Sequence, residues 1–93
     1  GRLFKFTLSG KARLVKYMSG TDAEVLEFTV PPGSAITKGT LKDLTFPKDS
    51  VIGGVIRGSE SFIAVGSTRI EPYDRVVVFA LPHAVKEVDK FFK

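Results

Sequence analysis

Short apolar runs, separated by glycine, proline and other turn-forming residues, fill most of this chain. Residues 23–30 alternate apolar and polar positions and stop at Pro31-Pro32-Gly33, because proline cannot donate to a β-ladder. Residues 50–57, 61–65 and 75–81 are further apolar runs of strand length. The pattern predicts a small, mostly antiparallel β-sheet whose strands are joined by tight turns.

Three turn signals separate the later strands. Gly58-Ser59 fits a two-residue hairpin turn, since glycine supplies the positive φ that such loops require. Gly66-Ser67 predicts a second turn. Residues 71–74, Glu-Pro-Tyr-Asp, predict a β-turn with proline at its second position.

Two helical segments are also predicted. Thr40 can cap a short helix after the first of these strands, with Leu41 and Leu44 on one face, and Pro47 prevents a longer helix. Pro82 suits the first position of a C-terminal helix. Its apolar positions recur at helical spacing: Ala84, Val85, Val88, Phe91 and Phe92. We expect this helix to cover the sheet, so the predicted fold class is α+β.

Length and composition exclude several classes of protein. A chain of 93 residues is one domain that buries only about 60–65% of its unfolded surface, so self-association would stabilise it. Cysteine is absent, which excludes a disulfide framework and a thiolate metal site and is compatible with a reducing cytoplasm. No apolar run approaches the ~18 residues of a membrane span. We expect a soluble piece of a longer protein, since the chain lacks an initiator Met.

The residues that could carry chemistry are few. His83 has no cysteine or acid at ligand spacing, so we expect a surface or capping residue, not a metal ligand. The stretch 53–58 has the glycine spacing of a phosphate loop but lacks the lysine and the helix. With one histidine as the available base, a serine nucleophile is not expected. We predict no catalytic residue, no metal and no enzyme activity.

The net charge of +4 arises near the start of the chain. The basic residues there meet no acid: Arg2, Lys5, Lys11, Arg13 and Lys16. Binding of nucleic acid is one interpretation. It requires exposed aromatic side chains among the basic ones, whereas Phe4, Phe6 and Tyr17 lie in apolar patterns that we expect to face a core. The alternative is a solvated face or a seam with a preceding domain, and we therefore expect no nucleic-acid partner. A basic nucleic-acid-binding β domain is kept only as the last of three hypotheses, after the two given below.

Two features of the run 50–57 have both a structural and a functional interpretation. The pair Gly53-Gly54 removes two side chains from a strand, which marks a bulge or the close approach of another backbone or a ligand. Arg57 could present its donor fork to an anionic ligand or a partner's carboxylate. The alternative is a pair with Glu60 or Asp74. We interpret Asp74 as a turn residue that accepts backbone N–H groups.

The order of these segments resembles the C-terminal regulatory domain (RCK-C, or TrkA-C) of TrkA-type potassium-transport proteins. The resemblance rests on residues 24–34 as an opening strand and exit turn, on Ile56-Arg57-Gly58 after the glycine-containing strand, and on residues 71–75 before the apolar run 76–80. It implies an RCK-C domain over residues 21–93. Residues 1–20 would be a junction from a preceding RCK-N domain, and residues 10–26 resemble that junction in TrkA.

For residues 3–8 the resemblance and the pattern disagree. Alternation of Phe4, Phe6 and Leu8 with polar residues predicts a strand. The resemblance implies the last turns of a helix that stops at Ser9-Gly10. Residues 12–18 predict a strand, and residues 19–22 a loop.

The resemblance also implies a function. RCK-C domains dimerise, often receive a regulatory ligand in or beside the dimer cleft, and control a membrane potassium-transport subunit from the cytoplasmic face of the membrane. NAD(H) or adenine nucleotide is expected only in an RCK-N domain, so we predict no cofactor here. The alternative is an RCK-C accessory module of another cation or carboxylate transporter.

The resemblance suggests a candidate cleft. Some RCK-C domains bind cyclic di-AMP through an arginine and an asparagine, but residues 46–51 read Phe-Pro-Lys-Asp-Ser-Val, without either. We therefore expect no cyclic di-AMP binding. The residues predicted for another small anionic ligand or for the dimer contact are Leu44, Phe46 and Ile52 as apolar walls, Lys48 and Arg57 as charges, and Gly53 and Gly54 at the contact between copies. A dimeric module without any ligand is the other possibility.

Overall fold

The computed structural model describes the backbone of residues 3–8 and 12–17 and all of residues 23–93. The strands are β1 (Leu3–Leu8), β2 (Ala12–Tyr17), β3 (Glu24–Thr29), β4 (Ser50–Arg57), β5 (Glu60–Ile63) and β6 (Arg75–Ala80). A 3₁₀ helix follows β3 at Ala35–Thr37, and the C-terminal helical segment consists of a 3₁₀ turn, Pro82–Ala84, and α1 (Val85–Lys90). The fold class is α+β, as predicted.

The strands form one antiparallel sheet in the order β1-β2-β3-β6-β4-β5. β6 inserts between β3 and β4 and pairs with both. The most apolar strand therefore lies inside the sheet, while β1 and β5 form its edges.

β1 is a strand paired with β2, with Phe6 opposite Leu14. The prediction from alternation is confirmed, and the helix implied by the family resemblance is wrong, because a period of two does not suit a helix. The proposed stop at Ser9-Gly10 and the loop at residues 19–22 lie outside the described residues, as do the side chains of the basic residues before residue 20.

The hydrophobic core lies between one face of the sheet and the C-terminal helical segment. Leu26 and Phe28 of β3 are fully buried there. The segment contributes Ala84, Val88 and Phe92, which are buried and spaced four apart as a helix face requires. The Phe92 ring stacks on Phe28, with ring centroids 4.0 Å apart and planes 8° from parallel. The predicted covering helix is confirmed.

The helix predicted after Thr40 is wrong. Residues 41–45 form turns, in which the Leu44 amide lies within hydrogen-bond distance of the carbonyls of Thr40 and Leu41. The Thr40 hydroxyl donates to the Asp43 carboxylate at 2.8 Å, so it does not cap a backbone amide. Thr40 itself forms a β-bridge with Arg69, and the amides of Leu41 and Lys42 donate to the carbonyls of Thr68 and Gly66, so the start of the segment is paired with the chain after β5. The short helix after β3 is instead the 3₁₀ helix Ala35–Thr37.

β4 contains the bulge that its glycines predict. Ile52 lies opposite Val78 and Gly54 opposite Val77, so Gly53 is an extra residue. Because side chains alternate along a strand, the extra residue reverses their facing beyond it, and the next buried residue after Ile52 is Val55. The same shift places Arg57 on the covered face of the sheet.

The β4–β5 hairpin closes as predicted. Arg57 lies opposite Glu60, and Gly58 has φ of +60° at the first central position of the two-residue loop. This matches a type II′ turn, whose twist agrees with that of the strands.

Candidate functional site

Two of the predicted cleft residues lie together in one groove. Phe46 and Ile52 are part of its wall, and its volume is about 260 Å³. The full lining is Leu41, Lys42, Phe46, Ser50, Val51, Ile52, Ala64, Val65 and Gly66. Leu44 packs against the hydrophobic core, and Lys48 is exposed in the turn before β4. The lining carries one charge, Lys42, so the groove can hold an apolar body beside a cation.

Lys42 was missed by the sequence reasoning. It stands in the segment predicted as a helix, where a lysine between two leucines indicates only a solvated face. In the structure its amide donates to the Gly66 carbonyl at 2.9 Å, which fixes this turn against the segment after β5. That long-range contact brings Lys42 to the groove.

Arg57 lies away from the groove. It lies four ladder positions beyond Ile52 on β4, since Gly53 is an extra residue, and this is about 13 Å along the strand. Its Nε donates to Asp74 Oδ1 at 2.9 Å and its Nη2 to Asp74 Oδ2 at 2.8 Å. The intrachain pair with Asp74 is confirmed, and a ligand role for Arg57 stays a prediction that requires this pair to open.

Asp74 has a buried carboxylate that accepts hydrogen bonds from three N–H groups. Besides Arg57 it accepts the Glu71 amide at 2.9 Å, which is the turn role predicted from the sequence. The hydrogen bond from Arg57 to Asp74 raises the pKa of Arg57. Burial lowers this pKa, and the negative charges of Asp74 and Glu71 raise it further. The guanidinium also lies 5.1 Å from the centre of the Phe62 ring, within the range of a cation–π contact. Arg57 therefore stays charged and held in place.

The glycine pair of β4 has two different environments. A Cβ on Gly53 would lie 2.5 Å from Cε2 of Phe79, because that ring covers Gly53. The close approach at Gly53 thus comes from a ring of the same chain. A Cβ on Gly54 would lie 3.4 Å from the Phe62 carbonyl oxygen and meet no other atom within 4 Å. Gly54 borders a shallow apolar hollow of about 280 Å³.

The second face of the sheet, which we call the open face, is apolar as well. Across β3, β6 and β4 the residues Val25, Phe79 and Val51 lie side by side, and Val77 and Gly54 continue the face toward Ile63 of β5. Val51 is 58% exposed, Phe79 42% and Ile63 77%. Sequence reasoning missed this face, although apolar residues at both odd and even positions of β6 are a signal for it.

His83 is exposed, as predicted, but has an acid beside it. Its Nε2 lies 2.8 Å from Oδ2 of Asp49, a residue 34 positions earlier. Asp49 has φ of +66°, and its carbonyl accepts the Leu81 amide at 3.0 Å. The contact connects the turn before β4 to the start of the C-terminal helical segment. Within residues 23–93, no three histidine, aspartate or glutamate side chains converge as a metal-binding group.

Comparison with known proteins decides the family. The family model described as the TrkA-C domain matches residues 25–93. The chain belongs to the TrkA-C domain family. In this TrkA-C domain the matched segment runs from β3 to the C-terminus and contains both the groove and the open face. None of the helices in the described part of the chain has the length and the apolar run that a membrane crossing needs.

The TrkA-C domain also resembles curated proteins. It is 34% identical over 91 residues to the Trk system potassium uptake protein TrkA homolog 1 of Methanosarcina mazei, and 32% identical over 91 residues to homolog 2 of that organism. Each alignment covers 98% of this chain and 20% of the relative. The TrkA homolog of Archaeoglobus fulgidus is 43% identical over 53 residues, or 57% of this chain and 12% of that protein. The chain thus spans about a fifth or less of the length of these relatives.

Proposed function

We propose that this TrkA-C domain is a non-enzymatic regulatory module of a potassium uptake system, acting on a membrane transport subunit from the cytoplasmic side. The observation that carries the proposal is the family match over residues 25–93, supported by relatives that are named as potassium uptake proteins. The fold adds a reason for a binding role. The open face presents apolar side chains to solvent, and such surfaces mark sites of interaction.

The proposed module works as a homodimer whose interface includes residues 41–55. Val51 is 58% exposed within this segment, and Gly54 borders the hollow between Ile63 and Val77. Burial of this surface would contribute about 25 cal/mol for each Å² of apolar area. A Gly54→Phe substitution fills the hollow and is expected to weaken the dimer. A monomer in light scattering of the unsubstituted chain at high concentration contradicts this part of the proposal.

The groove is the proposed place for a regulatory ligand. Phe46 and Ile52 would contact an apolar body, and Lys42 would neutralise an anionic group beside it, with Lys48 in the neighbouring turn as a second cation. Small-molecule sites commonly combine apolar walls with a few polar groups that set orientation. The ligand predicted here is therefore a small anion with an apolar part.

A chimera tests the regulatory function. The matching segment of the Methanosarcina mazei TrkA homolog 1 is replaced by this chain in cells that depend on that protein for potassium uptake. Growth at limiting potassium and uptake of radioactive rubidium are expected to return, as with the unsubstituted relative. Deletion of the segment provides the negative control. A chimera that accumulates to the normal level but restores no more uptake than the deletion contradicts the proposal.

A further inference from the structure

A short loop before β4, residues 46–49, belongs both to the groove and to the surroundings of the C-terminal helical segment. Phe46 is part of the groove wall, as is Ser50, the first residue of β4. The Ser50 hydroxyl donates to the Pro47 carbonyl at 2.5 Å, which closes the loop into a turn. The same loop contacts the C-terminal helical segment at both of its ends. We call residues 46–49 the strap.

Asp49 of the strap holds the start of the C-terminal helical segment. Its carbonyl accepts the Leu81 amide at 3.0 Å, and Leu81 directly precedes the 3₁₀ turn. Its carboxylate Oδ2 lies 2.8 Å from Nε2 of His83. The carboxylate contact is exposed and individually weak. The backbone hydrogen bond therefore does most to tie the first turn of the segment to the strap.

Phe46 of the strap holds the end of the segment. Its ring centroid lies 5.1 Å from that of Phe91, and the two planes are tilted by 55°, an attractive arrangement of aromatic rings. The Phe91 carbonyl in turn accepts the Ile36 amide at 2.9 Å. Because Phe92 also stacks on Phe28, the strap reinforces a core contact at this end.

The C-terminal helical segment depends on these contacts because it is short. α1 has six residues, and the 3₁₀ turn before it has three. Isolated helices of fewer than about 12–15 residues are marginal in water. Small elements of this kind can open while the rest of a domain stays folded. Since the strap contacts both ends, the strap and the segment should open together.

We propose that the strap couples the groove to the C-terminal helical segment, so that a ligand in the groove holds the segment more tightly on the sheet. The inference rests on the regulatory ligand proposed above for the groove. Opening of the strap removes Phe46 from the groove wall, so the ligand binds the closed form. A ligand that binds one of two states shifts the equilibrium toward that state. The stability of the segment then reports whether the groove is occupied.

Hydrogen exchange of two proline variants of the 93-residue chain tests the strap without a ligand. Pro47→Gly loosens the strap, and Pro72→Gly loosens the turn before β6 as a matched control. Each change adds backbone freedom to an open state and should raise exchange through that state about two- to fivefold. The Leu81 and Ile36 amides report the two ends of the segment. Both should exchange faster in Pro47→Gly and remain unchanged in Pro72→Gly.

The Ile36 amide decides this comparison, because it makes its hydrogen bond at the end of the segment and not to the strap itself. Faster exchange at Leu81 alone would mean that the strap holds only its direct neighbour. Ile36 exchange that does not respond to Pro47→Gly, or that responds equally to Pro72→Gly, overturns the proposal.

The dye anilinonaphthalene sulfonate, an apolar body with one anionic group, is the probe of groove occupancy. Its affinity, measured by fluorescence, should fall about threefold or more in Lys42→Gln. At ten times its Kd the dye should slow exchange of Leu81 and Ile36 about tenfold, the factor 1 + [L]/Kd for a ligand that binds only the closed strap. The Tyr73 amide, which bonds to the Val30 carbonyl in the turn before β6, should exchange as before.

The outcomes separate this inference from the proposed function. Dye binding that depends on Lys42 but leaves exchange of Leu81 and Ile36 unchanged overturns the coupling, while the groove keeps its proposed role. Dye binding that does not depend on Lys42 contradicts the groove as a ligand site and overturns the coupling with it. Growth and uptake of the chimera remain a separate test of the regulatory function.

Discussion

Removing the negative charge of Asp74 should produce a large loss of stability in this domain. The carboxylate is 2% exposed and receives three hydrogen bonds, two from Arg57 and one from the Glu71 amide. In Asp74→Asn the shape is kept, but the amide group turns a donor toward one of these donors. The charge of Arg57 then also loses its closest partner.

The size of the effect follows from the burial of the pair. Removing one partner of a buried ion pair costs about 3–5 kcal/mol. The Arg57 side chain is 33% exposed and also contacts Glu71, so water and a second carboxylate compensate in part. We therefore expect the free energy of unfolding to fall by about 3 kcal/mol. At roughly 4–8 °C per kcal/mol, the Tm falls by about 12–24 °C.

Urea denaturation, followed by circular dichroism, measures this loss as a change in midpoint at constant m. Both proteins are compared at one protein concentration, because association makes apparent stability depend on concentration. Arg57→Lys keeps the positive charge but cannot make both hydrogen bonds to Asp74, so it should lower the free energy of unfolding by about 1–2 kcal/mol. The control is Arg75→Ala, which breaks the half-exposed pair with Glu27 and should cost no more than about 1 kcal/mol. If Asp74→Asn costs no more than this control, the importance assigned to the buried pair is refuted.

Three further predictions concern the turns, the bulge and ligand specificity. Gly53→Ala should lower the free energy of unfolding by about 1–3 kcal/mol, because its methyl group would meet the Phe79 ring. Gly54→Ala should lower it by less than ~1 kcal/mol in the same urea assay. Equal losses for the two variants would contradict the contact with Phe79. Tyr73 is 74% exposed with φ of +71°, so Tyr73→Gly should stabilise the domain by about 0.5–1 kcal/mol, and a lower urea midpoint would count against strain there. Cyclic di-AMP should leave the Tm unchanged, since binding at one hundred times its Kd would contribute about 2.7 kcal/mol and raise the Tm by ~10 °C or more.

The positions of most strands and turns could be predicted from the sequence, because they depend on neighbouring residues. Alternation indicated β1, although the family resemblance implied a helix there and the sequence left the two alternatives open. Glycine at position 58 and proline at position 72 restrict the backbone to particular turns, so the hairpin and the turn before β6 were recognisable. The C-terminal helix was recognisable for the same reason, since its buried face repeats at helical spacing. The helix predicted after Thr40 is wrong because so short a helix signal is weak, and the amides of Leu41 and Lys42 bond to carbonyls more than twenty residues away, at Thr68 and Gly66.

The candidate site depended far more on tertiary structure. From the sequence we predicted that Phe46, Ile52, Lys48 and Arg57 line one cleft. In the structure Arg57 instead bonds to Asp74 at the other end of β4. Its facing follows from the bulge at Gly53, since one extra residue reverses every later side chain. A pair of glycines signals such a bulge but does not specify its register.

Which surfaces remain open was likewise decided by the assembled fold. β6 is apolar on both faces, and no local pattern distinguishes the face covered by the helix from the one left to solvent. The pairing of β6 between β3 and β4 brings Phe79 over Gly53 and leaves β5 as an edge. Local sequence determines backbone conformation and periodicity because these arise from nearby residues, whereas partners, facing and exposed edges arise from strand pairing over long separations in the chain.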